Sequence, residues 1–137
     1  NDYMCLDGTI PVSQLPLVLR RIRELSGQYG LDVGNVFHAG DGNMHPLILY
    51  DANKPGDLEK CEKMGADILR LCVEVGGCLT GEHGVGVEKR DLMHVQYSKD
   101  DLEVQLAVKD VFDPEWLLNP AKVFPLAITR GRRERVV

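Results

Sequence analysis

The chain has 137 residues, of which 44% are hydrophobic, and this length and composition predict one globular domain with enough core to fold alone. Its 16 basic and 21 acidic side chains give a net charge of −5, which argues against nucleic acid as the main partner. No stretch approaches the roughly 20 consecutive apolar residues that cross a membrane, and no secretory leader is recognisable. The chain begins with Asn1 rather than Met, so we expect it to be a piece of a longer polypeptide.

In the first half of the chain, the apolar pattern predicts strands around one helix. A strand over residues 3–10 is followed by a helix that Ser13 can cap and that stops at a glycine. Alternating apolar residues predict two further strands, 33–39 and 44–50, joined as a β-hairpin. Pro46 cannot donate to a sheet ladder, so we expect a sheet edge or a bulge where it lies.

The second half is mainly helical in its pattern. Asp57 begins the clearest helix, in which apolar residues recur at three- and four-residue steps until Gly76 ends it. Residues 78–80 are predicted to form a short strand, and Ser98 is predicted to begin a last helix that ends before Pro114. Helices and strands that alternate in this way, with a hairpin, indicate the α+β class.

Two compositional features bear on location and partners. Cys61 and Cys72 lie on the apolar side of the second predicted helix, which favours reduced core thiols in a cytoplasmic protein over disulfides or a thiolate metal site. Residues 126–137 carry four arginines and are expected to be a basic, flexible tail. Docking of this tail to an acidic partner surface is the alternative.

The segment His38-Ala-Gly-Asp-Gly-Asn-Met-His45 places two imidazoles symmetrically about an Asp-Gly pair. Asp-Gly between extended segments favours a two-residue type I′ turn, because both turn positions need a positive φ. His38 would then lie directly opposite His45, with Cβ atoms about 4.5–5.5 Å apart, so that both rings could reach one metal ion. A surface histidine pair without a ligand is the alternative.

A third imidazole and a carboxylate occur in Gly81-Glu82-His83-Gly84, where glycines on both sides indicate a site loop. Two histidines and one glutamate make a three-ligand set with open positions, which is typical of a catalytic divalent metal. Adjacent residues of an extended segment point to opposite sides. We therefore predict that Glu82 binds the metal with the two hairpin histidines and that His83 is free to move protons.

Several segments resemble the C-terminal domain of the FAD-linked 2-hydroxyacid oxidases and dehydrogenases, a family that includes glycolate oxidase, D-lactate dehydrogenase and D-2-hydroxyglutarate dehydrogenase. The resemblance runs from about Asp2 to Pro125. The segments that carry it include DGTIP (7–11), NVFHAGDGNMHP (35–46), GEHGVG (81–86) and NPAK (119–122).

The resemblance implies a flavoenzyme of the vanillyl-alcohol-oxidase type. Residues 1–125 would form its ferredoxin-like cap domain, with an antiparallel sheet and packed helices, and the FAD-binding domain would lie outside this chain. The implied substrate is a small 2-hydroxy acid, whose hydride passes to FAD. Implied partners are that N-terminal FAD domain and further oxidase subunits, including an iron–sulfur subunit; attachment to the inner membrane through such subunits is left open. Alone, the chain is expected to be inactive and prone to self-association.

The resemblance also implies roles for individual residues. His38, His45 and Glu82 correspond to the ligands of a divalent metal, zinc or manganese, and His83 corresponds to the base that takes the substrate proton. Asn119 corresponds to a residue close to the flavin.

The sequence differs from the family at position 121, and two other functions are alternatives to the flavoenzyme. Ala121 stands where the family commonly has glycine, a change that matters only if φ is positive there. A metal-dependent hydrolase or oxygenase could use the same two-histidine, one-carboxylate set without a flavin. A non-catalytic assembly module would tolerate substitution of Glu82 and His83.

Overall fold

The computed structural model describes residues 2–129, which form two compact units divided between Gly84 and Val85. The first unit holds an antiparallel sheet and two long helices, and the second holds one short and one long helix. The α+β class expected from the sequence is confirmed. The elements are β1 (Asp2–Cys5), β2 (Gly8–Thr9), α1 (Leu15–Tyr29), β3 (Val33–His38), β4 (Asn43–Tyr50), α2 (Asp57–Glu74), α3 (Met93–Gln96) and α4 (Lys99–Phe112).

Strand β4 is the centre of the sheet. It pairs antiparallel with β1 and β2 along one side and with β3 along the other. Thr9 also forms a single antiparallel bridge to Cys78. This bridge is all that the structure shows of the strand predicted over residues 78–80. With α1 between the first strands and the hairpin, and α2 after β4, the chain has the β-α-β-β-α-β order of a ferredoxin-like fold. None of the helices in residues 2–129 has the length and apolar character needed to cross a membrane.

The strand predicted over residues 3–10 is split into β1 and β2. The two parts keep one register along β4, and between them Leu6 and Asp7 lie opposite Pro46 and His45. Since Pro46 has no N–H to donate, the ladder is interrupted at this point. The prediction of a sheet edge or a bulge at Pro46 is wrong. β4 is paired on both sides, so Pro46 is not at an edge, and the register is the same before and after Pro46, so no residue is inserted as a bulge.

The loop between β3 and β4 is longer than predicted. Four residues, 39–42, join the strands, and Gly42 is in the left-handed region with φ 78°. The N–H groups of the third and fourth loop residues both donate to the carbonyl oxygen of His38, at 3.2 and 3.1 Å, which closes a wider turn than type I′. His38 therefore pairs with Asn43, and its predicted position directly opposite His45 is wrong. Because the shift is two residues, both histidines still lie on one face of the sheet.

One hydrophobic core joins the sheet to α1 and α2. The side chains that the two helices bury recur at three- and four-residue steps, as the sequence pattern predicted, and they include Val18, Ile22, Cys61, Met64, Ile68 and Cys72. A 3-10 turn over Val12–Gln14 precedes α1, so Ser13 lies inside that turn and is not the predicted cap. Burial raises the pKa of the Cys61 thiol to about 11, with a smaller contribution from the nearby Glu62 carboxylate. Cys61 and Cys72 are both buried, as expected for core thiols.

The second unit is organised around α4. Ser98 caps this helix as predicted: its hydroxyl accepts a hydrogen bond from the Asp101 N–H, and its own N–H donates to the Asp101 carboxylate. The helix packs Leu106 into a small cluster with Trp116 and Phe124, which Ile128 also contacts. Residues 130–137, the larger part of the predicted basic tail, lie outside the described residues.

The segment after α4 contains four non-glycine residues in the left-handed region, namely Trp116, Asn119, Ala121 and Val123. An L-residue held there costs roughly 1–2 kcal/mol. Hydrogen bonds hold the segment in this conformation: the Arg90 guanidinium donates to the Ala121 carbonyl oxygen at 2.7 Å, and the Val123 N–H donates to the Gly86 carbonyl oxygen at 2.8 Å. Because Ala121 has φ 61°, its difference from the glycine of the family bears on stability.

We expect Ala121→Gly to stabilise the second unit by about 0.5–1 kcal/mol, since the strain it relieves exceeds the entropy that glycine adds to the unfolded chain. Trp116 is the single tryptophan of the chain, so its fluorescence during urea unfolding measures this unit. Ala107→Gly is the matched control, because Ala107 is exposed within α4 and the same substitution there should destabilise by about 1 kcal/mol. Equal effects at both positions would contradict the prediction.

Candidate functional site

The candidate site lies on the face of the sheet that α1 and α2 do not cover. Side chains alternate along a strand, so Met44 and Ile48 of β4 enter the core, whereas His45 between them points to the other face. Directly opposed residues share a face, which places Asp7 and His38 on the same side as His45. The open face of the sheet thus gathers the polar side chains of three strand segments.

Asp7 is the buried anchor of this face, with no exposed surface. Its carboxylate accepts hydrogen bonds from the Thr80 hydroxyl at 2.6 Å and from the backbone N–H groups of Gly81 at 2.8 Å, Glu82 at 3.1 Å and His83 at 3.0 Å. Successive N–H groups that converge on one carboxylate fix the path of the backbone. Asp7 therefore bends the loop over residues 80–83 onto the sheet.

The same contacts determine the protonation of Asp7. Burial alone would raise the pKa of this carboxyl group. The hydrogen bonds from the Thr80 hydroxyl and from the loop backbone all stabilise the charged form, and together they hold the pKa well below its usual range. Asp7 is therefore a carboxylate at neutral pH, and it brings a buried negative charge next to the imidazoles.

Glu82 and His83 both turn toward His45. The Glu82 Oε1 atom lies 3.1 Å from His45 Nε2 and 3.7 Å from His83 Nε2, and the rings of His45 and His83 stack with centroids 5.1 Å apart. The expectation that Glu82 and His83 point to opposite sides is wrong, because the loop bends around Asp7 and is not extended. One possible metal-binding atom from each of four residues lies within 4.8 Å of the other three; these residues are Asp7, His45, Glu82 and His83.

The hydrogen-bond partners of His45 indicate the state of its ring. His45 Nδ1 lies 3.1 Å from the carbonyl oxygen of Leu6, which can only accept, so this contact is a hydrogen bond when Nδ1 carries the hydrogen. In the neutral ring, Nε2 then presents a lone pair to the Glu82 carboxylate. Nε2 and Glu82 Oε1 then face each other as two acceptors 3.1 Å apart, a contact that a cation or a proton between them would stabilise.

His38 lies beside this group without belonging to it. Its ring meets the His45 ring edge-on with centroids 5.4 Å apart, and the residue is exposed. The structure thus brings together three of the four histidine and glutamate residues that the sequence singled out, with the fourth at ring-contact distance from His45. Asn119 belongs to the second unit and is exposed with φ 47°; its position beside a flavin stays a prediction.

Two further residues of the site, Asn43 and Asp7, were not predicted from sequence to belong to it. Asn43 is buried, its Nδ2 atom lies 3.5 Å from His45 Nε2, and its Oδ1 atom has no hydrogen-bond partner among the described residues. A Cβ atom at position 81 would lie only 2.3 Å from that Oδ1 atom, so the loop approaches the sheet this closely only with Gly81. For Asp7, the signal in the sequence was an acidic residue inside an otherwise apolar strand.

We expect Asp7→Asn to cost roughly 3 kcal/mol of stability at pH 7, because charged hydrogen bonds contribute more than neutral ones and an amide NH₂ would face backbone donors. The folded-state pKa of Asp7 is depressed, so its contribution is present above the unfolded value of 3.8 and is lost as the pH falls through the folded value. The stability gap between the parent and the variant should therefore narrow below about pH 4. Urea unfolding followed by circular dichroism in the presence of EDTA measures both effects.

Asp32→Asn is the matched control, since Asp32 is an exposed acid in the same unit and its loss should change stability by less than about 0.5 kcal/mol. Amide hydrogen exchange should become faster at Gly81, Glu82 and His83 in the Asp7 variant alone. Unchanged protection of these three amides would show that Asp7 does not hold the loop.

Comparisons with known proteins place these features in a family. The family described as FAD linked oxidases, C-terminal domain, matches residues 1–123. The glycolate oxidase subunit GlcD of Escherichia coli (strain K12) is 58% identical over 124 residues, which are 90% of this chain and 25% of that protein. The mitochondrial D-lactate dehydrogenase [cytochrome] of Kluyveromyces lactis is 32% identical over 88% of this chain and 20% of its own length. The chain thus spans about a quarter or less of these relatives.

A solved structure shares the fold. The 4-ethylphenol oxidase from Gulosibacter chungangensis superimposes on 92% of this chain with a TM-score of 0.61 and 19% sequence identity, and the matched part is 25% of that chain. The fold and the resemblance noted in the sequence are both confirmed. This chain belongs to the family of FAD-linked oxidase C-terminal domains.

Proposed function

We propose that this chain is the substrate and metal domain of an FAD-dependent 2-hydroxyacid oxidoreductase that acts on a small acid such as glycolate or D-lactate. The observation that carries the proposal is the convergence of His45, Glu82 and His83 on the open face of the sheet in a member of this family. The names of its relatives, glycolate oxidase subunit GlcD and D-lactate dehydrogenase, support this class of substrate.

We propose that His45 and Glu82 bind a divalent ion, zinc or manganese, with His38 as a third ligand. The supporting observation is the contact of 3.1 Å between His45 Nε2 and Glu82 Oε1, since two ligand atoms of one tetrahedral zinc ion lie roughly 3.3 Å apart. Imidazole and carboxylate are donors that suit both metals. When bound, such an ion would polarise the substrate hydroxyl group and lower its pKa.

We propose that His83 is the base and that its Nε2 atom accepts the proton of the substrate hydroxyl group. The His83 side chain is exposed enough to contact a substrate. Its backbone N–H donates to the Asp7 carboxylate, which fixes the position of the backbone from which the ring extends. An imidazole suits this task because it gains and loses a proton near neutral pH. Removal of the hydroxyl proton prepares the carbon for loss of its hydride.

The redox chemistry belongs to FAD, which we propose is held mainly by the part of the polypeptide outside this chain. A row of exposed apolar side chains on α4, Val104, Val108 and Val111, followed by Phe112, supports a covering partner, because contiguous apolar surface marks an interaction site. We propose that the remainder of the polypeptide covers it, and that the chain alone self-associates. Further subunits, including an iron–sulfur subunit, and a cytoplasmic location remain part of the same proposal; Cys61 and Cys72, buried in the core, fit reduced thiols in a reducing compartment.

We expect His45→Ala and Glu82→Gln each to weaken Zn²⁺ binding to this chain by more than about 100-fold, because loss of a ligand exceeds the 10–100-fold cost of losing an outer partner. Isothermal titration calorimetry with Zn²⁺ and with Mn²⁺ measures the affinity. His94→Ala is the matched control, since His94 is an exposed histidine of the second unit and should leave the affinity unchanged. Equal binding by all three variants would refute the metal site. A large loss in His83→Ala would make His83 a ligand.

In the complete flavoprotein, we expect His83→Ala to retain metal and FAD but to slow flavin reduction by glycolate or D-lactate about 10²–10⁴-fold, the usual loss when a positioned base is removed. Stopped-flow absorbance of the flavin measures the step, and His94→Ala again serves as control. A reduction rate that survives in His83→Ala would remove that residue from proton transfer. Substrate turnover without any flavin reduction would indicate a metal-dependent hydrolase instead.

A further inference from the structure

The interruption in the sheet lies directly beside the candidate site. Leu6 donates its N–H to the carbonyl oxygen of Pro46 at 3.0 Å, as in one half of a hydrogen-bonded antiparallel pair. The other half of such a pair would run from the N–H of residue 46 to the carbonyl oxygen of Leu6. Proline has no N–H, so this ladder bond does not form.

The Leu6 carbonyl oxygen therefore needs another donor. Leu6 is 4% exposed and Pro46 belongs to the fully buried side chains, and a buried carbonyl group without a partner costs free energy comparable to a lost hydrogen bond. His45 Nδ1 lies 3.1 Å from this oxygen and is a strong donor, whereas the Cys5 thiol at 3.6 Å is a weak one. The side chain of residue 45 thus takes the place that the backbone of residue 46 leaves open.

This hydrogen bond selects one tautomer of a buried ring. His45 is 8% exposed, so water does not compete freely for Nδ1. With the hydrogen on Nδ1, Nε2 keeps its lone pair, and that atom faces Glu82 Oε1 at 3.1 Å. A ring with its hydrogen on Nε2 would direct that hydrogen at Glu82 and leave the Leu6 carbonyl without its main donor.

We propose that Pro46 is a positioning residue for the site: by withholding a backbone N–H, it makes the Leu6 carbonyl oxygen the acceptor that fixes His45 as the Nδ1–H tautomer. The inference about the tautomer stands on the sheet geometry. Its consequence, a lone pair on Nε2 presented to a metal ion, rests on the proposed function. In metal sites generally, the partner of the second ring nitrogen sets the orientation and basicity of the ligating histidine.

Nuclear magnetic resonance of the chain with ¹⁵N-labelled histidine tests the tautomer without any metal. The chain has four histidines, so long-range ¹H–¹⁵N spectra in EDTA above pH 8 resolve each neutral ring, and His94→Ala and His38→Ala assist the assignment. We expect His45 to be the Nδ1–H form in the parent chain. An Nε2–H form there would overturn the inference before any Pro46 variant is made.

Two variants of Pro46 separate the missing N–H from the proline ring. Pro46→Ala supplies an N–H that competes for the Leu6 carbonyl oxygen, and we expect it to shift the His45 tautomer ratio about five-fold toward Nε2–H, the equivalent of one net hydrogen bond. The α-hydroxy analogue of alanine at position 46 has the same side chain but an ester oxygen in place of the N–H, so it should keep the parent ratio. An unchanged ratio in a folded Pro46→Ala chain, or the same shift in both variants, would overturn the proposal.

Zn²⁺ titration of the same proteins separates this inference from the proposed function. We expect Pro46→Ala to bind Zn²⁺ more weakly than the parent by no more than about five-fold, because the affinity follows the fraction of the Nδ1–H form, and the ester analogue to bind like the parent. A tautomer shift in Pro46→Ala, together with a Zn²⁺ affinity that His45→Ala leaves unchanged, would support the role of Pro46 while refuting His45 as a ligand. If no protein of the series binds Zn²⁺, the metal proposal fails and the tautomer measurement still decides the role of Pro46.

Discussion

The buried carboxylate of Asp7 is the interaction on which the site depends. Without it, little would hold the loop over residues 80–83 against the sheet, because none of these four residues has an apolar side chain. The three backbone N–H groups and the Thr80 hydroxyl that converge on Asp7 replace the packing that the loop lacks. A charge with this many donors costs little to bury, since its hydration shell is replaced almost bond for bond.

The two faces of one sheet divide structure from chemistry. Along β4, alternate residues enter the core and the open face, so the strand that anchors the hydrophobic core also fixes the position of His45. A ring mounted on the central strand moves less than one mounted on an edge strand or a loop. Functional groups that are held by rigid elements keep their geometry with less loss on binding.

Much of this fold could be predicted from the sequence, and the errors have identifiable causes. The apolar periodicity of α2 and the start of the last helix at Ser98 were predicted correctly, because each depends on residues close together in the chain. The turn at Asp41-Gly42 was predicted from a local preference, and the bonds of the loop to the His38 carbonyl oxygen overrode it. The prediction that His38 and His45 share a face of the sheet is still correct, because a shift of two residues in the pairing leaves each side chain on the same face.

The contacts that sequence could not supply are long-range. Asp7 and the loop that it holds are more than 70 residues apart, and no pattern within either segment predicts that the two are in contact. For the same reason, Glu82 and His83 could be recognised as a pair of interest but not oriented. Pro46 was noted as a residue that disrupts a ladder, yet the use of that disruption depends on the neighbouring strand.

The elements that carry the site residues also determine how an ion or a substrate would enter and leave the site. His45 belongs to a strand that is hydrogen-bonded on both sides, and such strands open only with the whole unit, whereas Glu82 and His83 sit on a loop that a single side chain retains. An ion or a substrate would therefore meet one stationary ring and a pair of residues that can swing away and return. Entry and release would be governed by the lifetime of the Asp7 hydrogen bonds, so a substitution that weakens these bonds should change the rate of exchange together with the stability of the unit.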